Sequence, residues 1–156
     1  MQKVTILCVG KLKEKFYADA VSEYSKRLSR FCKLDIVELN EERLPEDPSP
    51  AQIEAALSRE AYTIRAKLPP AAMAVALCVE GKQRSSEELA RLMADSVSHL
   101  VFLIGGSFVL HPSIKELAAV RLSMSPMTFP HHLARVMLLE QIYRAYQINA
   151  GTKYHK

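Results

Sequence analysis

The sequence predicts an α/β fold in which a mainly parallel sheet is covered by helices on both faces. Five short apolar segments rich in β-branched residues recur along the chain, and the segments between them have helical periodicity. Strands that alternate with helices over short connections form parallel sheets. Segments 4–9 and 73–79 are apolar at nearly every position, which is typical of strands buried on both sides. The predicted strands are residues 4–9, 34–39, 73–79, 100–105 and 121–125.

The first two helices are predicted from an apolar stripe and from a start signal. A helix from about residue 14 to 30 should bury one stripe, made of Phe16, Tyr17, Ala20, Val21, Tyr24 and Leu28. Ser49 and Gln52 form a capping box with Pro50 at the first helical position, and apolar residues follow at helical spacing as far as Leu68. Residues 40–50, with four acidic side chains and three prolines, are interpreted as a solvated loop.

Two shorter helices are predicted in the second half of the chain. The first begins at a second capping box, Ser85 with Glu88, and its inward side chains should be Leu89, Leu92 and Met93. The other should begin at Pro112, because proline favours the first position of a helix. We expect that helix to bury Ile114 and Leu117.

The last predicted helix, from Pro130 to about Ile148, is apolar on more than one face. It ends at Asn149 and Gly151, and its apolar residues are Leu133, Val136, Met137, Leu138, Leu139, Ile142, Tyr143, Ala145, Tyr146 and Ile148. A helix that is apolar nearly all round must be buried nearly all round, and one sheet covers only one side. We therefore predict a homodimer whose interface includes this helix; the alternative is burial within one subunit.

Length and composition place the chain among globular proteins. Its 156 residues, 49% hydrophobic and 24% charged, fit one domain over residues 1–156. The longest apolar run is too short for a membrane helix, and the N-terminal segment lacks the pattern of a secretory signal, so a cytoplasmic location is predicted. Three cysteines form no CxxC pair, which favours buried thiols over a disulfide framework or a metal site.

The net charge of the chain is concentrated in its last 36 residues. Residues 121–156 contain five basic side chains and only one acid, Glu140, whereas residues 1–120 contain 16 of each sign, so the whole +4 lies in this segment. Proteins that bind phosphates need a cationic surface to displace counterions. The charge alone is a modest indication of nucleic-acid binding.

Two loops at the predicted carboxyl edge of the sheet could hold a ligand. Gly105 and Gly106 follow the fourth strand, where open α/β folds bind ligands, although a plain strand-to-helix turn explains them equally well. Residues 124–130 follow the fifth strand, and two prolines should fix backbone groups that could hydrogen-bond a heterocycle. Neither a GxGxxG fingerprint after the first strand nor a GxxxxGK[ST] phosphate loop occurs in the sequence.

The whole chain resembles the bacterial ribosomal RNA large subunit methyltransferase H family, of the SPOUT superfamily. The resemblance is carried by Val9-Gly10-Lys11-Leu12-Lys13-Glu14-Lys15, Gly81-Lys82 with Ser85-Ser86-Glu87, Ile104-Gly105-Gly106, Leu122-Ser123 with Met127-Thr128-Phe129-Pro130-His131, Glu140-Gln141-Ile142-Tyr143-Arg144-Ala145, and Tyr154-His155-Lys156. One departure stands out. Phe108 and Val109 occupy a turn where the family usually has another glycine, so φ > 0 should be disfavoured there.

The resemblance implies an enzyme, a cofactor, a substrate and a knot. The implied enzyme is a homodimer that uses S-adenosyl-L-methionine to methylate N3 of pseudouridine 1915 in 23S rRNA of assembled ribosomes, without a metal. A C-terminal trefoil knot is implied as well. The implied cofactor-binding residues are Leu77, Gly105, Met124, Ser125, Pro126, Met127, Thr128 and Phe129.

His155 is the candidate general base, because an imidazole has a model-peptide pKa of about 6.5 and the N3 proton must leave before or during methylation. Arg144 and Tyr154 would orient the base or stabilise the developing anion. On the residues alone, an exposed tail histidine is the commoner explanation of His155; the resemblance favours catalysis. His131 also matches the family, and we interpret it as structural or linked to dimer formation.

RNA would be held by cations pooled from two subunits. The candidates are Lys11, Lys13, Lys15, Arg135, Arg144, Lys153 and Lys156, which should recognise shape and phosphate more than base sequence. Two other functions fit the same composition: a non-catalytic RNA-binding or ribosome-associated factor, and a small α/β nucleotide-binding regulator.

Overall fold

The computed structural model describes residues 1–96 and 98–156, and its strands and helices alternate as predicted. The strands are β1 (Gln2–Val9), β2 (Cys32–Leu39), β3 (Met73–Gln83), β4 (His99–Ile104) and β5 (Val120–Ser123). The helices are α1 (Lys15–Leu28), α2 (Pro50–Lys67), α3 (Ser86–Ala94), α4 (Pro112–Leu117) and α5 (His131–Asn149). The predicted end of β3 was wrong, since that strand continues four residues further than 73–79 predicts.

The strands form one five-stranded sheet in the order β2-β1-β4-β3-β5, and every neighbouring pair is parallel. The pairing of β3 with β5 shifts register between Leu77 and Lys82, which lets β3 continue past the shift. Gly81 lies there, and a Cβ on it would be 2.7 Å from the backbone carbon of Arg121. A glycine is therefore needed where the two backbones approach.

Helices cover both faces of the sheet, as predicted. Alternate side chains of β1 point to opposite faces. Ile6 and Cys8 belong to the core cluster that includes residues of α1, α3 and α5, whereas Leu7 and Val9 belong to the cluster that includes residues of α2 and α4. The α/β class with a parallel sheet is thus confirmed.

Local capping signals correctly located two helix starts. The Ser49 hydroxyl accepts from the backbone N–H of Gln52 at 3.2 Å, and the Gln52 side chain accepts from the N–H of Ser49 at 2.8 Å. The Ser85 hydroxyl accepts from the N–H of Glu88 at 3.1 Å at the start of α3. These bonds satisfy N–H groups that a helix start leaves without partners.

Three expectations about burial were wrong. Leu117, the last residue of α4, is 41% exposed, because the chain turns toward β5 immediately after it and only Ile114 of the predicted pair is buried. Phe16 is 65% exposed, because it lies in the first turn of α1, where its ring contacts that of Tyr17 beside it. The loop 40–50 is not solvated throughout: Glu41, at its start, is half-buried and accepts from the N–H of Ser107 at 2.7 Å.

Helix α5 lies on the sheet and contacts both α1 and α3. Its fully buried apolar residues form one face, and the remaining apolar side chains are half-buried: Leu133, Val136, Met137, Tyr143, Tyr146 and Ile148. Two flanking helices thus cover more of α5 than a sheet alone would. The homodimer stays a prediction, and its support from α5 rests on these half-buried side chains.

Neither a membrane-spanning helix nor a reactive thiol is found among the described residues. No helix there combines the length and the apolar character needed to cross a membrane. The three cysteines are free and buried, and burial raises the pKa of the Cys8 thiol to about 12. A thiol of that kind is protonated at neutral pH and is a poor nucleophile.

Candidate active site

A cavity of about 630 Å³ opens at the carboxyl edge of the sheet, beside the ends of β4 and β5; we call it the edge cavity. Seven of the eight predicted cofactor residues line it: Leu77, Gly105, Met124, Ser125, Met127, Thr128 and Phe129. Pro126 lies in the same loop but is not a lining residue. The lining also includes residues that the sequence had not indicated, among them Cys78, Val79, Ser107, Val109 and Ala134.

The loop after β5 is fixed by its own serines. The Ser123 hydroxyl donates to the carbonyl oxygen of Ser125 at 3.1 Å, and the Ser125 hydroxyl accepts from the N–H of Met127 at 3.0 Å. These bonds hold the loop backbone in place beside the edge cavity. Preorganised backbone groups cost less entropy on binding than mobile ones.

Gly105 is required by the packing of the opposite wall. A Cβ on Gly105 would be 2.4 Å from the backbone carbon of Val109, closer than any real contact. Val109 itself has φ +64°, the left-handed region that costs an L-residue roughly 1–2 kcal/mol. Its N–H donates to the carbonyl of Gly106 at 3.1 Å. The turn therefore takes the positive φ that the sequence disfavours, at the expense of backbone strain.

A second depression, of about 820 Å³, adjoins the edge cavity; we call it the polar groove. It is lined by Gly10, Lys11, Lys13, Glu14, Tyr17, Asn40, Glu41, Arg43, Ser107, Pro130, His131 and His132. Three of these residues, Ser107, Pro130 and His131, line the edge cavity as well. The groove joins the loops after β1 and β2 with the start of α5, and sequence patterns did not indicate it.

Arg135 lies beside this region and does not face solvent. Its side chain is 2% exposed; Nη1 donates to Glu38 Oε2 at 2.7 Å, and Nη2 donates to the carbonyl of Gly10 at 3.2 Å. Glu38 also accepts from the N–H of Leu12 at 3.0 Å. The prediction that Arg135 contacts RNA was therefore wrong, because this arginine fastens the loop after β1 to α5.

The predicted catalytic residues Arg144, Tyr154 and His155 lie together, around Glu140. Arg144 Nε and Nη2 donate to the two carboxylate oxygens of Glu140 at 3.1 and 2.9 Å, and the Tyr154 hydroxyl donates to Glu140 Oε2 at 2.7 Å. Burial and the bond to Glu140 raise the pKa of Tyr154 to about 12, so its hydroxyl remains a donor at neutral pH. We call these four residues with Glu87 the tail cluster.

Both ring nitrogens of His155 are engaged in the tail cluster. Nδ1 is 3.1 Å from Arg144 Nη1, which can only donate, so Nδ1 accepts. Nε2 is 2.7 Å from Glu87 Oε1, an acceptor, so the proton lies on Nε2. His155 is half-buried, so the explanation that it is merely an exposed tail residue does not describe it. In this arrangement its basic lone pair is already occupied.

No residue of the tail cluster lines the edge cavity of the same chain. Ala134 lines the cavity near the start of α5, and Arg144 lies ten residues further along the helix. At 1.5 Å per residue this separation is about 15 Å. The structure thus assembles the predicted cofactor residues and the predicted catalytic residues, but in two places.

The predicted RNA-binding cations have divided roles. Lys11 and Lys13 line the polar groove with Arg43, and Lys153 and Lys156 are exposed on the tail. Lys15 forms an exposed ion pair with Asp19 at 2.8 Å. Among the residues that the structure describes, no group of three or more histidine, cysteine or acidic side chains could hold a metal ion.

Comparisons with known proteins agree with one another. The family described as "Predicted SPOUT methyltransferase" matches residues 2–155. Proteins named ribosomal RNA large subunit methyltransferase H are similar over nearly their whole length: that of Bifidobacterium adolescentis is 49% identical over 99% of both chains, and that of Clostridium novyi is 50% identical over 98% of this chain and 99% of its own. A solved structure, a probable methylase family protein from Haemophilus influenzae, has a TM-score of 0.57 at 11% identity and covers 98% of this chain and 70% of that one, which indicates a common fold.

Proposed function

The chain belongs to the ribosomal RNA large subunit methyltransferase H family of SPOUT methyltransferases, and on that premise we propose that it methylates N3 of pseudouridine 1915 in 23S rRNA. The methyl donor in this proposal is S-adenosyl-L-methionine, and the substrate is the assembled ribosome in the cytoplasm. The observation that carries the proposal is the edge cavity, in which seven residues assigned to the cofactor by resemblance come together from three separate segments.

The residues of the edge cavity fit this cofactor. Its volume lies within the usual range for nucleoside-sized ligands, about 300–1,000 Å³, and its lining is mostly apolar. Leu77, Met127 and Phe129 offer apolar surface to an adenine ring, and the backbone between Met124 and Phe129 offers hydrogen bonds to its edge. When bound, the cofactor supplies an electrophilic methyl group on a sulfonium. The chain's part is to hold the donor and exclude water.

We propose that the tail cluster serves the edge cavity of a second subunit. Along α5 of one chain, Ala134 of the cavity and Arg144 of the cluster are about 15 Å apart, whereas the half-buried apolar residues of α5 leave that helix able to pack against its copy. An antiparallel pair of α5 helices brings the later half of each helix beside the earlier half of the other. Arg144, Tyr154 and His155 of one chain would then approach the cavity of its partner.

In this dimer the tail cluster acts on the charge of the substrate base. Removal of the N3 proton leaves negative charge on the two neighbouring carbonyl oxygens, and Arg144 and Tyr154 are the donors suited to stabilise it. His155 can serve as a base only after Arg144 releases Nδ1, which engagement of Arg144 by a substrate oxygen would cause. The network around Glu140 holds these donors ready before substrate arrives.

RNA recognition on this proposal depends on shape and phosphate. Lys11, Lys13 and Arg43 in the polar groove can contact phosphates, and the exposed Lys153 and Lys156 can add contacts from the tail. Contacts of this kind recognise a fixed arrangement of phosphates more than a base sequence. We therefore expect far slower methylation of a short hairpin than of the ribosome.

We also infer the trefoil knot that the resemblance implies. In support, β5 lies at the sheet edge beside β3, whereas the chain that follows it packs as α5 between α1 and α3, with Asn149 donating to the carbonyl of Ala90 at 3.0 Å. Stretching a single molecule by its two ends would test this. A knotted chain stays shorter than its contour length, and full extension would exclude a knot.

The proposed function is tested with ribosomes from a strain that lacks this methylation. Purified protein and labelled cofactor are added, and the modified nucleotide is mapped. Label at N3 of pseudouridine 1915 is expected. Label at another nucleotide would correct the substrate, and cofactor binding without label would favour a nucleotide-binding regulator. Absence of both would favour a non-catalytic ribosome-associated factor.

A further inference from the structure

His131 occupies the boundary between the two depressions at the carboxyl edge. Among the residues that the structure describes, it is the only titratable side chain that lines both the edge cavity and the polar groove. The other residues common to the two linings, Ser107 and Pro130, do not titrate. A base that takes a proton from an acceptor held beside the methyl donor has to lie within reach of such a boundary.

The ring of His131 has free hydrogen-bonding capacity. It makes no side-chain hydrogen bond within residues 1–96 and 98–156, and it is not among the side chains with buried, unpartnered nitrogens. The ring lies against Gly10, where an added Cβ would be 3.3 Å from Nε2. By contrast, both nitrogens of His155 have partners, and Nε2 of His132 is buried.

Burial, more than the surrounding charges, favours the neutral form of the His131 ring. Burial lowers the pKa of His131 below 6.5, and the neighbouring His132 and Arg135 lower it further against the opposing effect of Glu41 and Glu14. The remaining charged or titratable side chains that line the groove are Lys11, Lys13, Tyr17 and Arg43. At neutral pH the imidazole therefore has a lone pair available to accept a proton.

We infer that the polar groove receives the acceptor base and that His131, at the boundary with the edge cavity, accepts the N3 proton. The inference rests on the proposed function and assigns its general base within the subunit that holds the cofactor. The N3–H bond breaks, its proton bonds to a ring nitrogen of His131, and the electron pair stays on N3. The products of this step are an imidazolium and an imide anion whose charge Arg144 and Tyr154 of the second subunit stabilise.

The test compares three histidine variants with the wild type on ribosomes, under single turnover with saturating cofactor. His131→Gln should lower the rate constant about 10²–10⁴-fold. In the wild type we expect the rate to fall in acid, at a pH below 6.5, as His131 becomes protonated. His131→Gln should abolish that fall. His155→Gln should slow the reaction but keep that fall.

His99→Gln is the matched control, because burial also lowers the pKa of His99, which lies at the amino end of β4, away from the carboxyl edge of the sheet. Its rate and pH profile should be unchanged.

Two further readouts separate a base from a structural residue. Imidazole added to His131→Ala should restore part of the rate, and added imidazole should not rescue His155→Ala. Calorimetry should give the His131→Gln protein a cofactor dissociation constant within about threefold of the wild type, with an unchanged melting temperature. NMR titration of the free wild type, with the ring signal assigned by its loss in His131→Gln, should give a pKa below 6.5.

A His131→Gln enzyme that is less than about threefold slower, or that keeps the acid fall in rate, would overturn the inference while leaving the methyltransferase proposal intact. Loss of cofactor binding in His131→Gln would show a structural role instead. Wild-type protein that methylates no ribosome would refute the proposed function itself. The two failures are therefore distinguishable.

Discussion

Helix α5 carries two arginine–glutamate pairs that use the same chemistry for different purposes. Arg135, in its first half, pairs with Glu38 at 2.7 Å and is 2% exposed; Arg144, in its second half, pairs with Glu140 at 2.9 Å and is 24% exposed. Glu38 lies 97 positions away from Arg135 in the sequence, whereas Glu140 lies four positions before Arg144 on the same helix. The first pair joins distant parts of the fold, whereas the second joins two residues about one helical turn apart.

The two pairs differ in whether the arginine could leave its partner without disturbing the fold. Removing Arg135 would leave Glu38 without its partner and would free the loop that carries Lys11 and Lys13 from α5. In the proposed mechanism Arg144 exchanges Glu140 for a substrate oxygen. Its side chain is partly exposed, and only α5, the tail and Glu87 contribute to the tail cluster. Burial and sequence separation of the partner, more than residue type, distinguish Arg135 from Arg144, to which we assign a catalytic role.

The largest expected effect on stability comes from breaking the pair of Arg135 with Glu38. Arg135→Met should lower the free energy of unfolding by about 2–4 kcal/mol, because the Gly10 carbonyl loses a buried charged donor and the partly exposed Glu38 loses its ion-pair partner. Urea denaturation measures this. Arg27→Met, at an exposed ion pair on α1, is the control and should change stability far less. Equal stability of the two variants would remove the structural role of Arg135.

Breaking the pair of Arg144 with Glu140 should affect the reaction more than the fold. Arg144→Met should lower the rate constant for ribosome methylation about 10²–10³-fold, as expected for the loss of one donor to a developing anion. The free energy of unfolding should fall by only about 1 kcal/mol, because the pair is partly solvated. Unaltered turnover would remove Arg144 from the proposed mechanism, and a stability loss as large as that of Arg135→Met would erase the distinction between the pairs.

Sequence patterns predicted the features of this molecule that depend on local order. The alternation of strands and helices and the caps at Ser49 and Ser85 follow from neighbours along the chain. The edge cavity could be anticipated because strands that run parallel end at one edge, and the family resemblance then selected its residues, such as Leu77 and Gly105.

Features that depend on distant partners were missed. Arg135 looks like any cation on a helix until Glu38 and Gly10 are placed beside it. The polar groove gathers segments far apart in sequence, so neither Asn40 nor Arg43 stood out. The left-handed Val109 contradicts its own local preference, because the backbone of the turn is set by its packing against Gly105. No periodicity carries such information.

Replacing both partners of this pair should recover part of the lost stability. In Arg135→Met/Glu38→Leu no carboxylate is left without its arginine, although the N–H of Leu12 loses its acceptor, so the free energy of unfolding should return to within about 1–2 kcal/mol of the wild type. The double variant should still methylate slowly, since the loop that carries Lys11 and Lys13 loses its bond from Arg135 to Gly10. Denaturation and single-turnover assays check the two statements. A double variant no more stable than Arg135→Met would mean that packing around Arg135, not its charge, stabilises the fold.

The smallest expected effect is on the acid limb, the fall in the free energy of unfolding as the pH is lowered. Burial alone would raise the pKa values of Glu38 and Glu140, but hydrogen bonds and positive charge together outweigh it: Arg135 and the N–H of Leu12 at Glu38, and Arg144 and Tyr154 at Glu140. Both pKa values therefore lie below 4.5 in the folded state. Each carboxylate therefore stabilises the fold fully above pH 4.5, and this contribution is lost as the pH falls through its folded value. Urea denaturation from about pH 7 to 3 should give a shallower acid limb for Arg135→Met/Glu38→Leu and for Arg144→Met/Glu140→Gln, each by less than about 1.4 kcal/mol per pH unit. If only one double variant flattens the limb, ionisation of the other carboxylate does not contribute to stability over this pH range, which would sharpen the contrast between the two ends of α5.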